Sequence, residues 1–237
     1  MTFTILGRCA RTGQLGGAVT TSDIAVGARV LHAEAQLAVV ATQHRTDPRL
    51  GPALLQRLRA GDRPQAAVAQ LAAATPDRDW RQIGVLDARG VAAAYSGSRL
   101  WPVGAELAGR DCLVLANMLA GQPVAPAMRD AFCGSPSDDL ADRLLAALDA
   151  GEQAGGERDG TLRSAALLVV EREAFPFVDL RIDDDRSPLA RLHALWETYR
   201  PHARQFVARA LTPDDVPAPE APRPPSGGCH RSSSTTT

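Results

Sequence analysis

The first residues of the chain, MTFTILGR, place a threonine directly behind the initiator methionine. A threonine hydroxyl becomes an effective nucleophile only when a base accepts its proton. Removal of Met1 would give Thr2 a free α-amine, whose ordinary pKa of about 7.7–8.0 suits that task. The same alternating segment predicts a β-strand, in which Thr2 would be an ordinary β-branched residue. Both interpretations of Thr2, nucleophile and strand residue, are open at this point.

Polar side chains end two of the following strands. Thr20, Thr21 and Ser22 close the second predicted strand, which would lie beside the first if the two form a hairpin. Thr42 and Gln43 close the apolar run AVVATQ, so their polar groups need hydrogen bonds or must face a cavity. We expect these residues to contact a substrate. Ordinary strand-end and turn hydrogen bonding is the alternative explanation.

Asn117 and a charged strand supply the remaining candidates. Asn117 follows the apolar run CLVLA, where its amide would either donate to an oxyanion or close a turn. Asp179, Arg181 and Asp183 alternate along VDLRIDD and therefore share one face of a strand. We expect Asp183 to orient the α-amine of residue 2 and Arg181 to help bind the substrate. A solvated strand edge with an ion pair is the alternative.

Composition and spacing exclude several function classes. All 26 basic residues are arginine, so neither a lysine Schiff base nor a P-loop lysine can form. A net charge of −1 argues against non-specific nucleic-acid binding. The histidines and cysteines lack metal-ligand spacing, and we predict no metal and no cofactor. The four cysteines form no CxxC pair, no signal peptide is recognisable, and no apolar run approaches the roughly 20 residues that span a bilayer. These features predict a cytoplasmic protein.

The hydrophobic periodicity gives the order strands, two helices, strands, two helices, strands, helix. AVGARVL and AQLAVVATQH are predicted strands, and QIGVLDARGVAAAYSGS is a predicted hairpin. Ser137 or Asp138 would cap the fourth helix, and Ser187 would cap the last long one. This order predicts an α+β fold with two stacked, mainly antiparallel sheets covered by helices on both outer sides. Residues 2–211 would form one domain, followed by a disordered Pro/Ser/Thr-rich tail, 212–237.

Several segments, taken together and in order, resemble the domain-of-unknown-function family 1028. They are MTFTILGR, GGAVTTSDIAVG, AVVATQ, RQIGVLDARGVAAAYSGS, ANMLAG, LLAALDAGEQAGGERDG with RSAALLVV, and VDLRIDDD. The resemblance implies the N-terminal nucleophile (Ntn) hydrolase superfamily and a four-layer αββα sandwich. It also makes Arg163 and Ser164 candidate substrate-binding residues, at positions where the family usually has Gln-Ser.

The resemblance and the Thr2 chemistry together favour hydrolysis of a C–N bond, in an amide or lactam of a small molecule. Thr2 would attack, its amine would carry the proton, and backbone N–H groups with Asn117 would hold the oxyanion. Proteasome-like relatives lower the pKa of the amine with a lysine, so an arginine or a hydrogen-bond network would have to do this here. The alternatives are a non-catalytic metabolite-binding or scaffold protein on the same fold, and an acyl-transfer or ring-opening enzyme. We expect a homodimer.

Overall fold

The computed structural model describes residues 2–100, 104–119, 121–156 and 161–216. The strands are β1 (Thr2–Arg8), β2 (Leu15–Thr21), β3 (Leu31–Glu34), β4 (Ala38–Gln43), β5 (Gln82–Asp87), β6 (Ala92–Ser96), β7 (Ala105–Gly109), β8 (Cys112–Asn117), β9 (Ser164–Val170) and β10 (Val178–Ile182). The α-helices are α1 (Leu50–Arg59), α2 (Pro64–Ala74), α3 (Val124–Gly134), α4 (Leu140–Gln153), α5 (Pro188–Tyr199) and α6 (Ala203–Leu211). The chain divides into two compact units, residues 1–203 and 204–237.

Two antiparallel sheets and two sets of helices build the first unit. One sheet has the strand order β10-β9-β2-β1-β8-β7, and the other has the order β3-β4-β5-β6. Helices α3, α4 and α5 cover the first sheet around Phe3 and Phe132, whereas α1 and α2 cover the second around Leu54. A third apolar cluster, which includes Leu6 and Leu115, fills the space between the sheets. The predicted four-layer αββα sandwich of the α+β class is therefore confirmed.

Strand β1 lies in the middle of the six-stranded sheet, and its alternation sets the direction of the first threonine. Phe3 and Ile5 belong to the apolar cluster on the helix side of the sheet. Leu6 belongs to the cluster between the sheets, and the period of two puts Thr2 and Thr4 on that same side. The first strand thus carries Thr2 to the edge of the layer between the two sheets.

One predicted strand was wrong. The segment AVGARVL does not form a continuous strand: Val26–Ala28 forms a 3-10 helix, and β3 starts only at Leu31. Ala25 adopts a left-handed backbone with φ of 55°, which turns the chain before Val26. Gly27 cannot carry a side chain without displacement, because a Cβ there would lie 2.7 Å from the Cβ of Ala166. The close approach of Gly27 to β9 favours a turn here, and the strand propensity of the segment does not reveal it.

The hairpin of β5 and β6 is confirmed, with Asp87–Gly90 as its joint: the Gly90 N–H donates to the Asp87 carbonyl at 2.9 Å. The edge strand β7, by contrast, was not predicted. Its sequence AELAG is short and ends in glycine, which weakens a strand signal.

Helix starts followed the predictions in part. Helix α4 has Asp139 as its N-cap, one or two residues after the predicted Ser137 or Asp138. Helix α5 does begin behind Ser187, although the Ser187 side chain makes no capping hydrogen bond. Helix α6 is followed by a short 3-10 helix, Pro213–Asp215, in the segment predicted as a tail. Residues 217–237 of that predicted tail lie outside the described residues.

Candidate active site

Three strand ends meet at the floor of a cavity of about 750 Å³. Thr2, at the start of β1, pairs with Thr21 at the end of β2 and with Asn117 at the end of β8. All three residues line the cavity. The hydroxyl oxygens of Thr2 and Thr21 are 3.1 Å apart and hydrogen-bonded. Thr2 is half-buried, so its hydroxyl is held by a neighbour while the residue still faces the cavity.

A chain of buried polar side chains lies behind this floor. Thr4 Oγ1 donates to Gln43 Oε1 at 2.6 Å, and Gln43 Nε2 donates to Gln82 Oε1 at 2.7 Å. Gln82 Oε1 also accepts from Asn117 Nδ2 at 3.3 Å. Gln82 Nε2 donates to the Ser96 hydroxyl and to the carbonyls of residues 105 and 116, at 3.0, 3.1 and 3.2 Å. Because buried amides are costly when unpaired, this network fixes the orientation of the Asn117 amide.

One wall of the cavity is the turn between β2 and β3, which supplies Asp23, Val26 and Arg29. Ser164, fully buried, fastens this turn from β9: its hydroxyl donates to the Asp23 carbonyl at 2.6 Å and accepts from the Val26 N–H at 3.1 Å. The Arg29 guanidinium pairs with the Asp23 carboxylate at 3.2 Å. The Ala25 N–H donates to the carbonyl of Asp183 at 2.8 Å. The wall is therefore held by an ion pair within the turn and by hydrogen bonds from Ser164 and Asp183 outside it.

A second wall is built around the Trp80 ring. The guanidinium carbon of Arg45 lies 4.4 Å from the centroid of this ring, and that of Arg99 lies 5.0 Å from it. His44 stacks on the same ring at 6.1 Å, and its Nδ1 is hydrogen-bonded to the Trp80 carbonyl at 2.8 Å. The Arg81 guanidinium donates to the carbonyl of Arg45. The Trp80 ring therefore contacts side chains from two other segments of the chain, residues 44–45 and residue 99.

Unusual backbone conformations concentrate at this cavity. His44, Arg45 and Met118 line it and have φ values of 56°, 46° and 54°. Asp77, which starts the 3-10 helix Arg78–Trp80, has φ of 55°. Left-handed non-glycine residues are uncommon, and they persist where the surrounding structure holds them in place. Their clustering here is typical of a functional site.

Of the predicted site residues, the structure brings Thr2, Thr21 and Asn117 together. Thr42 and Gln43 lie behind the cavity rather than in its described lining, each 1% exposed. Thr42 Oγ1 donates to the carbonyl of Asp47 at 3.4 Å. A hydrogen bond from the Arg49 guanidinium lowers the pKa of the Asp47 carboxyl, although burial partly opposes this effect.

Two hydroxyl residues at the end of β2 and just after it, Thr20 and Ser22, differ from their predicted placement. Thr20 is on the face of the sheet opposite to Thr21, where its hydroxyl donates to the Ser164 carbonyl at 2.9 Å. Its side chain is fully buried on the helix side, so it does not face the cavity. Ser22 follows the strand, is half-buried, and is not part of the described lining.

The charged candidates also lie elsewhere. Asp183 is exposed and pairs with Arg181 at 2.9 Å. Its carboxylate is not part of the described lining of the Thr2 cavity, contrary to the prediction that it orients the α-amine of Thr2. Arg163 pairs with Asp184 at 2.7 Å and lines a different cavity, of about 640 Å³. For Arg181 and Asp183, an ion pair at the edge of the sheet was the alternative interpretation. Ser164 supports a cavity wall instead of contacting the cavity itself.

Several residues of the site were not predicted. Gln82 starts a buried strand, and the argument applied to Thr42 and Gln43, a polar residue bounding an apolar run, would have found it. The cluster of His44, Arg45, Trp80 and Arg99 comes from three loops, and no spacing in the sequence connects them.

Within the described residues, no group of three or more His, Cys, Asp and Glu side chains is placed to hold a metal ion. None of the helices in that part of the chain has the length and apolar character needed to cross a membrane.

Comparison with known proteins relates this fold and cavity to a family. The crystal structure of a protein from Silicibacter pomeroyi matches with a TM-score of 0.78 and 34% identity, covering 84% of this chain and 85% of that one. Anbu (ancestral beta-subunit) from Yersinia bercovieri aligns at a TM-score of 0.41 with 9% identity, over 92% of this chain and 100% of that one. BPH from Thiobacillus denitrificans aligns at 0.37 with 12% identity, over 74% and 100%. No curated protein matches the chain.

The family model of DUF1028, a family of unknown function, matches residues 2–192, a range that starts at the first cavity residue and includes both sheets. The Silicibacter pomeroyi protein carries the same family designation. The chain therefore belongs to the family of unknown function DUF1028.

Proposed function

We propose that this protein is an Ntn hydrolase that cleaves a C–N bond, an amide or a lactam, in a small molecule, with Thr2 as nucleophile after removal of Met1. The observation that carries the proposal is the position of Thr2 at the floor of the cavity, with its hydroxyl hydrogen-bonded to Thr21. The αββα sandwich supports it, because the resemblance to family 1028 implies the Ntn superfamily and this architecture.

The first half of the reaction acylates the enzyme. Thr2 Oγ1 attacks the carbonyl carbon of the amide, and the α-amine of Thr2 accepts the hydroxyl proton, directly or through water. The tetrahedral intermediate then collapses, the C–N bond breaks, and the leaving amine takes the proton from the ammonium. The products of this half are an ester on Thr2 and a free amine; for a lactam, the amine stays attached to the acyl group.

The second half releases the acid. Water gives a proton to the α-amine and attacks the ester carbon, and the C–Oγ bond breaks as Oγ recovers the proton. Both halves pass through an oxyanion. Asn117 is suited to stabilise it, because its amide nitrogen carries two N–H groups and donates one of them to Gln82. No second acceptor for this nitrogen lies within the described residues, so its other N–H can serve a group in the cavity that Asn117 lines.

An amine acceptor in place of water would make the same site an acyl-transfer enzyme. A metabolite-binding protein would use the same cavity without the covalent step. The homodimer, the cytoplasmic location and the single domain over residues 2–211 stay predictions from the sequence.

The test is intact-protein mass spectrometry on protein made without an N-terminal tag, followed by labelling with a threonine-reactive epoxide or β-lactone. The expected mass lacks Met1, and peptide mapping finds one adduct on Thr2. Thr2→Ala abolishes the adduct, whereas Thr2→Ser keeps it. The matched control is Thr198→Ala on helix α5, an exposed threonine that should leave labelling unchanged.

Retention of Met1 would overturn the proposal, because the α-amine of residue 2 would then be a peptide nitrogen without basicity. An adduct that survives in Thr2→Ala would overturn it as well. Either result would favour the metabolite-binding alternative.

A further inference from the structure

Two arginines at the cavity rim have no acidic partner in the described chain. Arg45 and Arg99 both line the cavity that contains Thr2, and both are exposed. No described carboxylate lies within 4.0 Å of either guanidinium. The third arginine of the cavity, Arg29, does pair with Asp23. Positive charge is therefore in excess on the Trp80 side of the cavity.

The two guanidinium groups are supported by contacts that need no ligand. Each lies over the Trp80 ring, at 4.4 and 5.0 Å from its centroid. Cation–π contact holds a guanidinium by its face and leaves the N–H groups at its edge free to donate. The arginine heads are therefore oriented before any substrate arrives.

The backbone below these arginines is fixed as well. The Arg99 N–H donates to the Asp79 carbonyl at 2.9 Å, next to Trp80, and the Arg45 carbonyl accepts from Arg81. Gly97 allows this docking, because a Cβ there would lie 2.3 Å from the Asp79 carbonyl oxygen. Arg81 adds further positive charge, and its buried Nε has no hydrogen-bond partner in the described chain.

Guanidinium groups recognise planar or tetrahedral oxyanions through paired N–H···O bonds. We propose that Arg45 and Arg99 form an anion subsite that binds a carboxylate or phosphate of the substrate. The position of the rest of the substrate rests on the proposed function: with the anion at this subsite, the scissile C–N bond lies toward Thr2, at the floor of the same cavity. The substrate class is thus an anionic amide or lactam, of a size that fits about 750 Å³.

The test measures binding on the Thr2→Ala variant, so that turnover plays no part. The probes are glutarate for a carboxylate, inorganic phosphate for a phosphate, and glutaramide as the neutral analogue of glutarate. Calorimetry gives the affinity, and Trp80 fluorescence reports arrival at the subsite, with Trp80→Phe as the signal control. We expect glutarate or phosphate, but not glutaramide, to bind saturably and to weaken as salt rises. The anion that binds more tightly identifies the chemistry.

Substitutions locate the subsite. We expect Arg45→Gln and Arg99→Gln each to weaken anion binding roughly tenfold or more, as the loss of a charge-assisted hydrogen bond implies. Arg172→Gln is the matched control, since Arg172 is exposed in the turn after β9, at the end of the sheet away from Thr2. Far-UV circular dichroism verifies that each variant is folded. If a glutamine variant is not folded, Arg45→Lys or Arg99→Lys replaces it in the binding measurement.

The proposal is overturned if neither anion binds, if glutaramide binds as well as glutarate, or if the double variant of Arg45 and Arg99 binds like Arg172→Gln. Failure of the proposed hydrolase function would look different. An unreactive Thr2 leaves anion binding to the Thr2→Ala variant intact, and an absent anion subsite leaves the labelling of Thr2 intact.

Discussion

Replacement of Gln82 by leucine tests whether the polar network behind the cavity supports the fold. Gln82 is fully buried at the start of β5, and its Oε1 accepts from both Gln43 Nε2 and Asn117 Nδ2, at 2.7 and 3.3 Å. Leucine has a similar volume and leaves no large void. It removes the acceptor of both amides, however, and each of those residues is only 1% exposed.

The magnitude follows from these two orphaned donors. A buried donor left without an acceptor costs about 1–3 kcal/mol. The Gln43 donor loses a short bond and the Asn117 donor a long one, so we expect Gln82→Leu to lower the free energy of unfolding by about 3 kcal/mol. The matched control is Gln56→Leu on the exposed face of α1, where a change within about 0.5 kcal/mol is expected.

Urea unfolding followed by circular dichroism and tryptophan fluorescence measures both changes in the free energy of unfolding. Coincident transitions from the two signals and unchanged m-values verify that unfolding is two-state in each variant. The variant Gln43→Leu and the double variant complete a cycle. Because both amides leave together in the double variant, its loss should be smaller than the sum of the single losses, by about 0.5–3 kcal/mol. A Gln82→Leu protein as stable as Gln56→Leu, or a double variant whose losses simply add, would refute the network.

Two further predictions concern groups away from the cavity floor. Ser164→Ala leaves the Val26 N–H without its acceptor and should cost about 1–3 kcal/mol, with faster amide exchange at Val26; Ser187→Ala, which loses no capping bond, should do neither. Equal exchange in both variants would contradict this role of Ser164. The hydrogen bond that the protonated His193 ring donates to the Asp149 carboxylate raises the pKa of His193 above its ordinary value of 6.5. The stabilisation from this pair is therefore present below pH 6.5 and is lost as pH rises through the folded-state pKa. The difference in free energy of unfolding between the wild type and His193→Gln should therefore be larger at about pH 5 than at about pH 8. It should stay below about 1 kcal/mol, because both side chains are more than a third exposed. A difference that does not change with pH would contradict the linkage.

The sequence predicted the layers of the fold well, because apolar residues recur along each helix and strand with the period of that element. The all-apolar run before Thr42 is buried on both faces, as expected of a strand without alternation, and the helices cover the two outer faces of the sheets. The turn at Val26–Ala28 was missed because its cause is tertiary. Its conformation depends on contacts to Ser164 and Ala166 on β9 and to Asp183 just after β10, and no local pattern encodes these contacts.

The site was predictable only where strand register determines it. Thr21 follows from the first hairpin, and Asn117 joins it because β8 pairs with the other edge of β1. Asp183 could not be placed in the same way. It lies just beyond β10 at the edge of the sheet, two strands from β2, where an ion pair with Arg181 is within easy reach. The arginines on Trp80 come from loops, whose approach depends on the whole fold.

These loop arginines bear on how Thr2 could react without a lysine. A protonated α-amine cannot accept a proton, and a neighbouring positive charge lowers the pKa of such an amine. Asp183 would act in the opposite direction if it were near, since a carboxylate stabilises the ammonium. Within the described residues, the cavity instead combines the ion pair of Arg29 with Asp23 and two arginines, Arg45 and Arg99, without an acidic partner. Under the proposed function, we expect the excess positive charge of Arg45 and Arg99 to act on the amine in the direction in which a lysine would, opposite to that of a carboxylate.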